Sequence, residues 1–259
     1  MSIRISLIIH ITFFFLFLPH TFSQGIDKRL FAHGALIRED TSLKTIYLSF
    51  TGGDYNEGAK MILRSLKKKK VKAHFFFTGD YYRNPENRQH IFKLKKRRHY
   101  LGPHSDKHLL YASWENRDSL LVSKELFQQD LLDNYKAMES FGIKQADALF
   151  FMPPYEWYNQ KISDWTEEMG IQLINFSPGT RSNADYTTPD LGKRYVDSER
   201  IFRSILEYEA KTSQGLNGFI LLLHIGTHPD RTDKFYYKLP LLIDELKHRG
   251  YTFSLLSKL

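Results

Sequence analysis

Seven short runs rich in β-branched and aromatic residues alternate with amphipathic helical patterns, and this alternation constrains the fold of the chain most. Most runs are apolar throughout, as strands buried on both faces of a parallel sheet are. The runs cover residues 45–50, 73–77, 100–101, 148–152, 172–175, 219–224 and 251–255. The helical patterns cover residues 57–68, 86–98, 124–141, 159–169, 198–211 and 235–249. This order predicts an α/β fold, an irregular (β/α)7 barrel, with an open doubly wound sheet as the alternative.

The N-terminus has the pattern of a secretory signal peptide. Arg4 precedes an apolar run at residues 7–18, and the small residues Thr21 and Ser23 stand three and one positions before a possible cleavage site. We therefore predict a signal peptide at residues 1–23, one domain at residues 24–259, and a periplasmic or extracellular location. An uncleaved anchor is the alternative, although about a dozen apolar residues are fewer than the roughly 20 that span a bilayer. No internal repeat or linker divides the rest of the 259 residues.

Composition narrows the chemistry that the chain can perform. Without cysteine there are no disulfides or thiolate sites, so a bound metal must use histidine and carboxylate ligands. The 37 Lys and Arg outnumber the 29 Asp and Glu, giving a net charge of +8, which favours polyanionic neighbours without identifying one. Basic runs at residues 67–70 and 95–98 are typical of solvated helix ends, with attraction to an anionic polymer as the alternative. No G-x-G-x-x-G or P-loop pattern follows any predicted strand, so a nucleotide site has no support.

Polar and ionisable residues follow five of the predicted strands at their carboxyl ends. In a barrel of parallel strands, reactive residues come from these ends of several strands. They lie at residues 51–55, 104–108, 153–157 and 177–186, and at His224. The sequence therefore predicts one functional rim.

His104 and His108 carry the strongest single signal for a metal site. Their i, i+4 spacing would place both imidazoles on the same side of one helical turn, within reach of a common ion. Asp54 is the predicted third ligand. Two histidines and a carboxylate suit zinc, cobalt, manganese and iron alike, and zinc is our first expectation. The alternative is a pair of solvated surface histidines.

Five segments in order resemble the polysaccharide deacetylase family, the NodB-homology domain of carbohydrate esterase family 4. Residues 46–53 are similar to its first motif, 73–79 to its A-T-F-F-x-x-G strand, 104–108 to H-[ST]-x-x-[HD], 151–155 to R-P-P-Y, and 222–224 to the final L-x-H. The resemblance implies an irregular seven-stranded barrel, a divalent metal, and hydrolysis of N- or O-acetyl groups on a carbohydrate.

The chain departs from the family pattern at the residues that usually carry the reaction. Where the family has T-F-D-D-G, this chain has Thr51 and Gly52 in place of both aspartates, the usual base and the usual metal ligand. Met152 stands where the family has the arginine that holds the base. The loss of both the base and the arginine that holds it is chemically coherent, because a buried guanidinium without its carboxylate is an uncompensated charge. We favour a rebuilt site in which Asp54 replaces the lost ligand. The alternative is a catalytically silent barrel that binds glycans.

The remaining roles are assigned on this basis. Glu156 is the predicted general base, with Asp185 as its competitor or as a substrate-binding residue. His224 is the predicted general acid, because the pKa of imidazole suits proton donation near neutral pH. The resemblance assigns the backbone N–H of Tyr155 to the oxyanion. Trp157 and Tyr186 are predicted to stack on sugar rings.

The expected partner is a carbohydrate polymer or oligosaccharide, with no nucleic acid and no lasting membrane span. The sequence predicts no oligomeric state.

Overall fold

Strand β3 (Thr45–Gly52) lies at the centre of a seven-stranded sheet in the computed structural model, which describes residues 28–257. It pairs in parallel with β8 (Phe219–His224) on one side and with β4 (His74–Phe77) on the other, and β4 pairs in parallel with β5 (Tyr100–Pro103). Because these strands are parallel, their carboxyl ends lie at one rim. The predicted signal peptide lies outside the described residues.

A hairpin that the sequence analysis missed extends this sheet. Strands β1 (Leu30–Ala32) and β2 (Ala35–Arg38) are antiparallel, and β2 pairs with β8 through Arg38 and Phe219. His33 and Gly34 connect them, both with positive φ (46° and 80°), as two-residue hairpin turns matching the strand twist require. Strands this short give little periodicity to read.

A second, two-stranded sheet completes the wall of the barrel. It consists of β6 (Phe150–Phe151) and β7 (Gln172–Leu173), which are parallel. The N–H of Met152 donates to the carbonyl of Pro103 (3.4 Å), and the N–H of Asn175 donates to that of Leu36 (2.9 Å). The predicted irregular barrel is thereby confirmed, with one correction. The predicted strand at 251–255 is only β9 (Thr252–Phe253), which pairs with the start of β3, and β2 takes the seventh place in the wall.

Seven α-helices accompany the described strands. They are α1 (Ala59–Lys69), α2 (Gly79–Arg83), α3 (Arg88–Lys96), α4 (Lys124–Glu139), α5 (Gln160–Glu168), α6 (Ser198–Lys211) and α7 (Leu239–His248). Six match predicted helices, and α2 was not predicted. Ser123 accepts a hydrogen bond from the N–H of Leu126 and Asn159 from that of Ile162, and such side-chain caps explain where α4 and α5 begin.

Apolar residues on the two faces of the sheet form two layers. The outer layer packs the sheet against the helices and includes Phe219, Leu221 and Leu223, whereas Ile220 and Leu222 point into the barrel. The interior is filled by Leu36, Phe76, Phe150, Met152, Ile174, Ile220, Leu222 and Leu256. The interior of the barrel is therefore packed with apolar side chains. Among residues 28–257, no helix combines the length and apolar character needed to cross a bilayer.

His74 ties the last described residues to the centre of the sheet. It is fully buried, its Nδ1–H donates to the carbonyl of Leu48 (3.2 Å), and its Nε2 accepts from the N–H of Leu256 (2.9 Å). The contact with Leu256 requires the neutral ring, because a protonated Nε2 cannot accept a hydrogen bond. Burial lowers the pKa of His74 from 6.5 to about 4, against the opposing effect of the Leu48 hydrogen bond and with help from His99.

This arrangement predicts acid sensitivity. Because the pKa of His74 is lower in the folded state than in the unfolded state, folding loses stability as the pH falls from 6.5 to 4. The loss from this residue is about 3 kcal/mol. Urea unfolding across this range should therefore show a shallower fall for His74→Gln, whose amide can keep both hydrogen bonds. The control His248→Gln, which replaces an exposed imidazole, should follow the wild type. An equal slope in His74→Gln and wild type would contradict this role.

Candidate active site

A cavity of about 530 Å³ opens at the carboxyl ends of the parallel strands. Its wall includes residues from the loops after β3, β4, β5, β6 and β8, so the predicted single rim is present. The ionisable groups around it include Asp54, His104, His108, Glu156 and His224.

His104 and His108 lie side by side, with ring centroids 5.1 Å apart. Their segment is an irregular loop in which Ser105 and His108 have positive φ (69° and 55°). The prediction of a helical turn is wrong. The two imidazole rings nevertheless lie close together, as the i, i+4 spacing predicts.

Two polar residues on the buried face of α4 hold this loop. Asn134 accepts a hydrogen bond from the N–H of His104 (2.8 Å), and Asp130 accepts from the N–H groups of Asp106 (3.1 Å) and Lys107 (3.0 Å). Sequence reasoning missed both. The available signal was the spacing of Asp130 and Asn134, which places two polar side chains on the apolar face of a helix.

An ion pair between an exposed arginine and a buried aspartate holds the loop from its other side. Arg83 on α2 donates to both carboxylate oxygens of Asp106 (2.7 and 2.8 Å). Gly79 allows this approach, since a Cβ there would lie 1.7 Å from the Asp106 carboxylate. The loop shape therefore depends on residues that are 20 or more positions away from it.

Both histidines are held in the neutral form that binds metals. The Nδ1–H of His104 donates to the carbonyl of Met152 (2.7 Å), which leaves Nε2 with its lone pair. Burial lowers the pKa of His104 well below its usual value, and His108 adds to this. Burial also lowers the pKa of His108 to about 4, against the opposing charge of Asp54.

The third predicted ligand is less well placed. Asp54 is exposed at the margin of the cavity, and its negative charge is near enough to raise the pKa of His108. Among residues 28–257, no three His, Asp or Glu side chains converge closely enough to hold an ion in this arrangement. The histidine pair thus fits a metal, and a third ligand must move to complete the site. Asp54 as that ligand stays a prediction.

The two positions that lack the family aspartates differ in the space that they offer. Thr51 is buried, and in the described part of the chain its hydroxyl has no hydrogen-bond partner. At Gly52, a Cβ would lie 2.6 Å from Cγ2 of Ile225 and 2.9 Å from Cδ1 of Phe77. The space for a side chain at Gly52 is therefore filled, whereas an unpaired polar group remains at Thr51, as at sites that bind water or a ligand.

His224 is paired with Asp185 from the loop after β7. Its Nδ1 lies 2.6 Å from Oδ1 of Asp185, and its backbone N–H donates to Oδ2 (2.9 Å). Burial opposes protonation of His224, but the charge and hydrogen bond of Asp185, together with Glu156, raise its pKa above the usual value. Asp185 is itself buried and does not line the cavity. Asp185 therefore lies behind His224 in contact with its ring, and its role as a base or a substrate-binding residue stays a prediction.

Glu156 lines the cavity on a strained turn. It and Tyr155 have positive φ (52° and 58°) in succession, a backbone that non-glycine residues seldom adopt and that occurs at functional sites. Burial raises the pKa of Glu156 to about 7, against the lowering effect of His224 and with help from Asp185. Glu156 can therefore exchange a proton near neutral pH.

Aromatic side chains form the outer margin of the cavity. Tyr186 lines it, is 51% exposed, and lies 5.3 Å from the ring of His224. Trp157 does not line it, because its indole N–H donates to the carbonyl of Ser113 and its ring lies under Arg117. Its neighbour Trp114, 56% exposed, takes that place beside Tyr155. Tyr186 and Trp114 therefore form the aromatic margin of the cavity and Trp157 does not line it, and stacking on sugar rings stays a prediction.

A fully buried arginine fixes the segment that follows Asp185. Arg231 donates to the carbonyls of Thr187 (2.6 Å) and Val196 (3.0 Å) and lies 3.7 Å from Asp233. It joins the loop after β8 to the loop that carries Asp185 and Tyr186.

Comparison with known proteins finds relatives that include a deacetylase of peptidoglycan. The chain is 27% identical over 238 residues to the peptidoglycan-N-acetylmuramic acid deacetylase PdaA of Bacillus subtilis, covering 91% of this chain and 79% of that protein. The solved structure of PdaA has the same fold, with a TM-score of 0.66 at 23% identity over 86% of this chain and 83% of that one.

Two further solved structures share the fold. One is BA3943 of Bacillus anthracis, described as a carbohydrate esterase family 4 pseudoenzyme, with a TM-score of 0.66 at 18% identity over 87% of this chain and 68% of that one. The other is a family 4 acetyl xylan esterase from Clostridium thermocellum with a bound cobalt ion, with a TM-score of 0.61 at 21% identity over 82% and 87% of the two chains.

The polysaccharide deacetylase family model matches residues 38–174, more than half of the chain. This range contains the histidine loop, its α4 supports and Glu156. The resemblance inferred from the five motifs is thereby confirmed, and the chain belongs to the polysaccharide deacetylase family.

Proposed function

We propose that the protein is an exported, metal-dependent deacetylase that hydrolyses N- or O-acetyl groups of a carbohydrate polymer or oligosaccharide. The observation that carries this proposal is that His224, oriented by Asp185, shares one cavity with the His104–His108 pair and Glu156. These groups can supply an acid, a base and metal ligands. The name of PdaA supports an acetylated amino sugar of peptidoglycan as the first substrate to test, and it supports action outside the cytoplasm.

The proposed mechanism divides the work among these residues. His104 and His108 would hold a divalent cation, zinc first, with Asp54 as the third ligand. When bound, the cation supplies a Lewis acid. Glu156, deprotonated, accepts a proton from the attacking water. His224, protonated, donates a proton to the departing amine or alcohol, while Asp185 stabilises its charge. The N–H of Tyr155 donates to the developing oxyanion. Tyr186 and Trp114 would contact the sugar rings.

A glycan-binding barrel without catalysis is the second candidate. It is favoured by the filled space at Gly52 and by the missing third ligand in this arrangement. The two candidates differ in whether Glu156 and His224 move protons.

Glu156 and His224 predict a bell-shaped dependence of kcat/KM on pH. The base works only when deprotonated, so acetate release should rise through about pH 7, the pKa of Glu156. The acid works only when protonated, so the rate should fall above the raised pKa of His224. Glu156→Gln should remove the rising limb and lower turnover roughly 10²–10⁴-fold, with metal content unchanged. Glu167→Gln, an exposed change on α5, is the control. Full activity in Glu156→Gln would place the base elsewhere.

Asp185 predicts a shift of the falling limb. Asp185→Asn removes the charge that raises the pKa of His224, so that limb should move to lower pH. Asp190→Asn removes an exposed charge nearby in the chain and should leave the limb in place. Coincident profiles for Asp185→Asn and wild type would show that His224 is not the proton donor.

The ligand assignment predicts unequal losses of metal. In His104→Ala, zinc retained after dialysis should fall from one per chain to background. Asp54→Asn should weaken binding by more than the roughly 10–100-fold that loss of an outer partner costs. Asp230→Asn removes a carboxylate from the loop after β8 and serves as control. Equal affinity in Asp54→Asn and Asp230→Asn would exclude Asp54 as a ligand.

A further inference from the structure

Two segments hold all of the chain's excess positive charge. Residues 58–79 and 87–105 contain 13 of the 37 Lys and Arg and no Asp or Glu. The rest of the chain has 24 basic residues against all 29 acidic residues, so it is net negative. The excess is therefore a local feature of α1, α3 and the turns that follow them.

The fold brings these segments together at the end opposite the cavity. Helices α1 and α3 end just before the amino ends of β4 and β5, and α7 ends just before β9. Arg97 donates to the carbonyl of Leu63 (2.9 Å), which joins the end of α3 to the middle of α1. Lys247 donates to the carbonyl of Lys69 (2.5 Å), which joins the ends of α7 and α1. Six exposed cations define this surface, here named the basic face: Lys67, Lys68, Lys93, Lys96, Arg98 and Lys247.

The partial negative charges at the helix C-termini neutralise only part of the positive charge of the basic face. Each helix C-terminus carries about half a negative charge, so three helix ends offset roughly 1.5 of the six cations. Within residues 28–257, no acidic side chain lies within 4 Å of the ammonium groups of Lys67, Lys68, Lys93 or Lys96. Lys70 and Arg98 also occupy turns with positive φ (54° and 57°), where glycine is usual. The basic face is thus an uncompensated cationic surface.

The course of the chain indicates what this surface meets. Leu30 pairs with Arg38, and Arg38 pairs with Phe219 at the amino end of β8. The chain therefore enters the fold at the same end as the basic face. In the sequence, only residues 19–29 separate Leu30 from the apolar run at 7–18, a span of at most about 40 Å. In the alternative of an uncleaved anchor, a membrane that holds this run would lie close to this end. After cleavage, the charge of the basic face is what attracts the protein to an anionic membrane surface.

We propose that the basic face binds the anionic phospholipid headgroups of a membrane surface. Lys and Arg near such a surface are attracted to anionic lipids, and the attraction weakens with salt. In this orientation the cavity opens on the side away from the bilayer, where a polymer can reach it. The proposal is independent of the proposed catalysis.

The test is co-sedimentation of the full chain with vesicles. Changing the lipid composition distinguishes binding through charge from binding through the apolar run. Vesicles of phosphatidylcholine with phosphatidylglycerol are compared with vesicles of phosphatidylcholine alone. The triple variant Lys67→Gln, Lys68→Gln, Lys96→Gln should bind the anionic vesicles about 100-fold more weakly than wild type. The matched control Lys161→Gln, Lys193→Gln, Arg194→Gln removes the same charge elsewhere and should bind nearly as wild type does. Circular dichroism verifies that both variants fold.

Three outcomes would overturn the proposal. Equal losses in the two triple variants would mean that total charge, and not this face, governs binding. Equal binding of wild type to both kinds of vesicle would assign the affinity to the apolar run. Binding to soluble polyphosphate without binding to anionic vesicles would identify the partner as a free polyanion.

Discussion

The parallel pairing of β3 with β8 is the contact on which the site depends. Its register runs from Ile46 opposite Phe219 to Thr51 opposite His224. One residue of slip would reverse which side chains face the barrel, so the packed interior fixes this register. As a result, the position that lost the family base lies beside the predicted general acid. The loops after the neighbouring strands then meet at the same rim.

Around this pairing, hydrogen bonds from distant elements give the site its shape. Asn134 and Asp130 on α4 hold the histidine loop, and Asp185 holds His224. Each support is a buried polar group whose removal would leave a partner unsatisfied. These supports therefore fix the positions of the histidine loop and His224 even though Thr51 and Gly52 lack carboxylates. We propose on this basis that the centre is rebuilt, and the silent barrel stays the alternative.

Features that depend on the local sequence pattern could be predicted from the sequence. Features that depend on contacts between residues far apart in the chain could not. The alternation of strands and helices predicted the barrel, and five motifs predicted the family and the rim. The loop shape at His104 and His108 could not be predicted, because α4 imposes it from about 25 residues away. The pairing of Asp185 with His224 spans 39 residues, and the local sequence of Asp185 indicated only a loop. The exchange of Trp157 for Trp114 depended on which indole Arg117 covers, which no spacing reveals.

The central claim is that Asp54 replaces the missing metal ligand beside His104 and His108. A crystal structure of the protein soaked in zinc tests it most directly. The account predicts one ion bound by a nitrogen of each histidine and an oxygen of Asp54, each at about 2.0–2.2 Å. An ion bound without Asp54, or histidines that bind no zinc, would contradict the account.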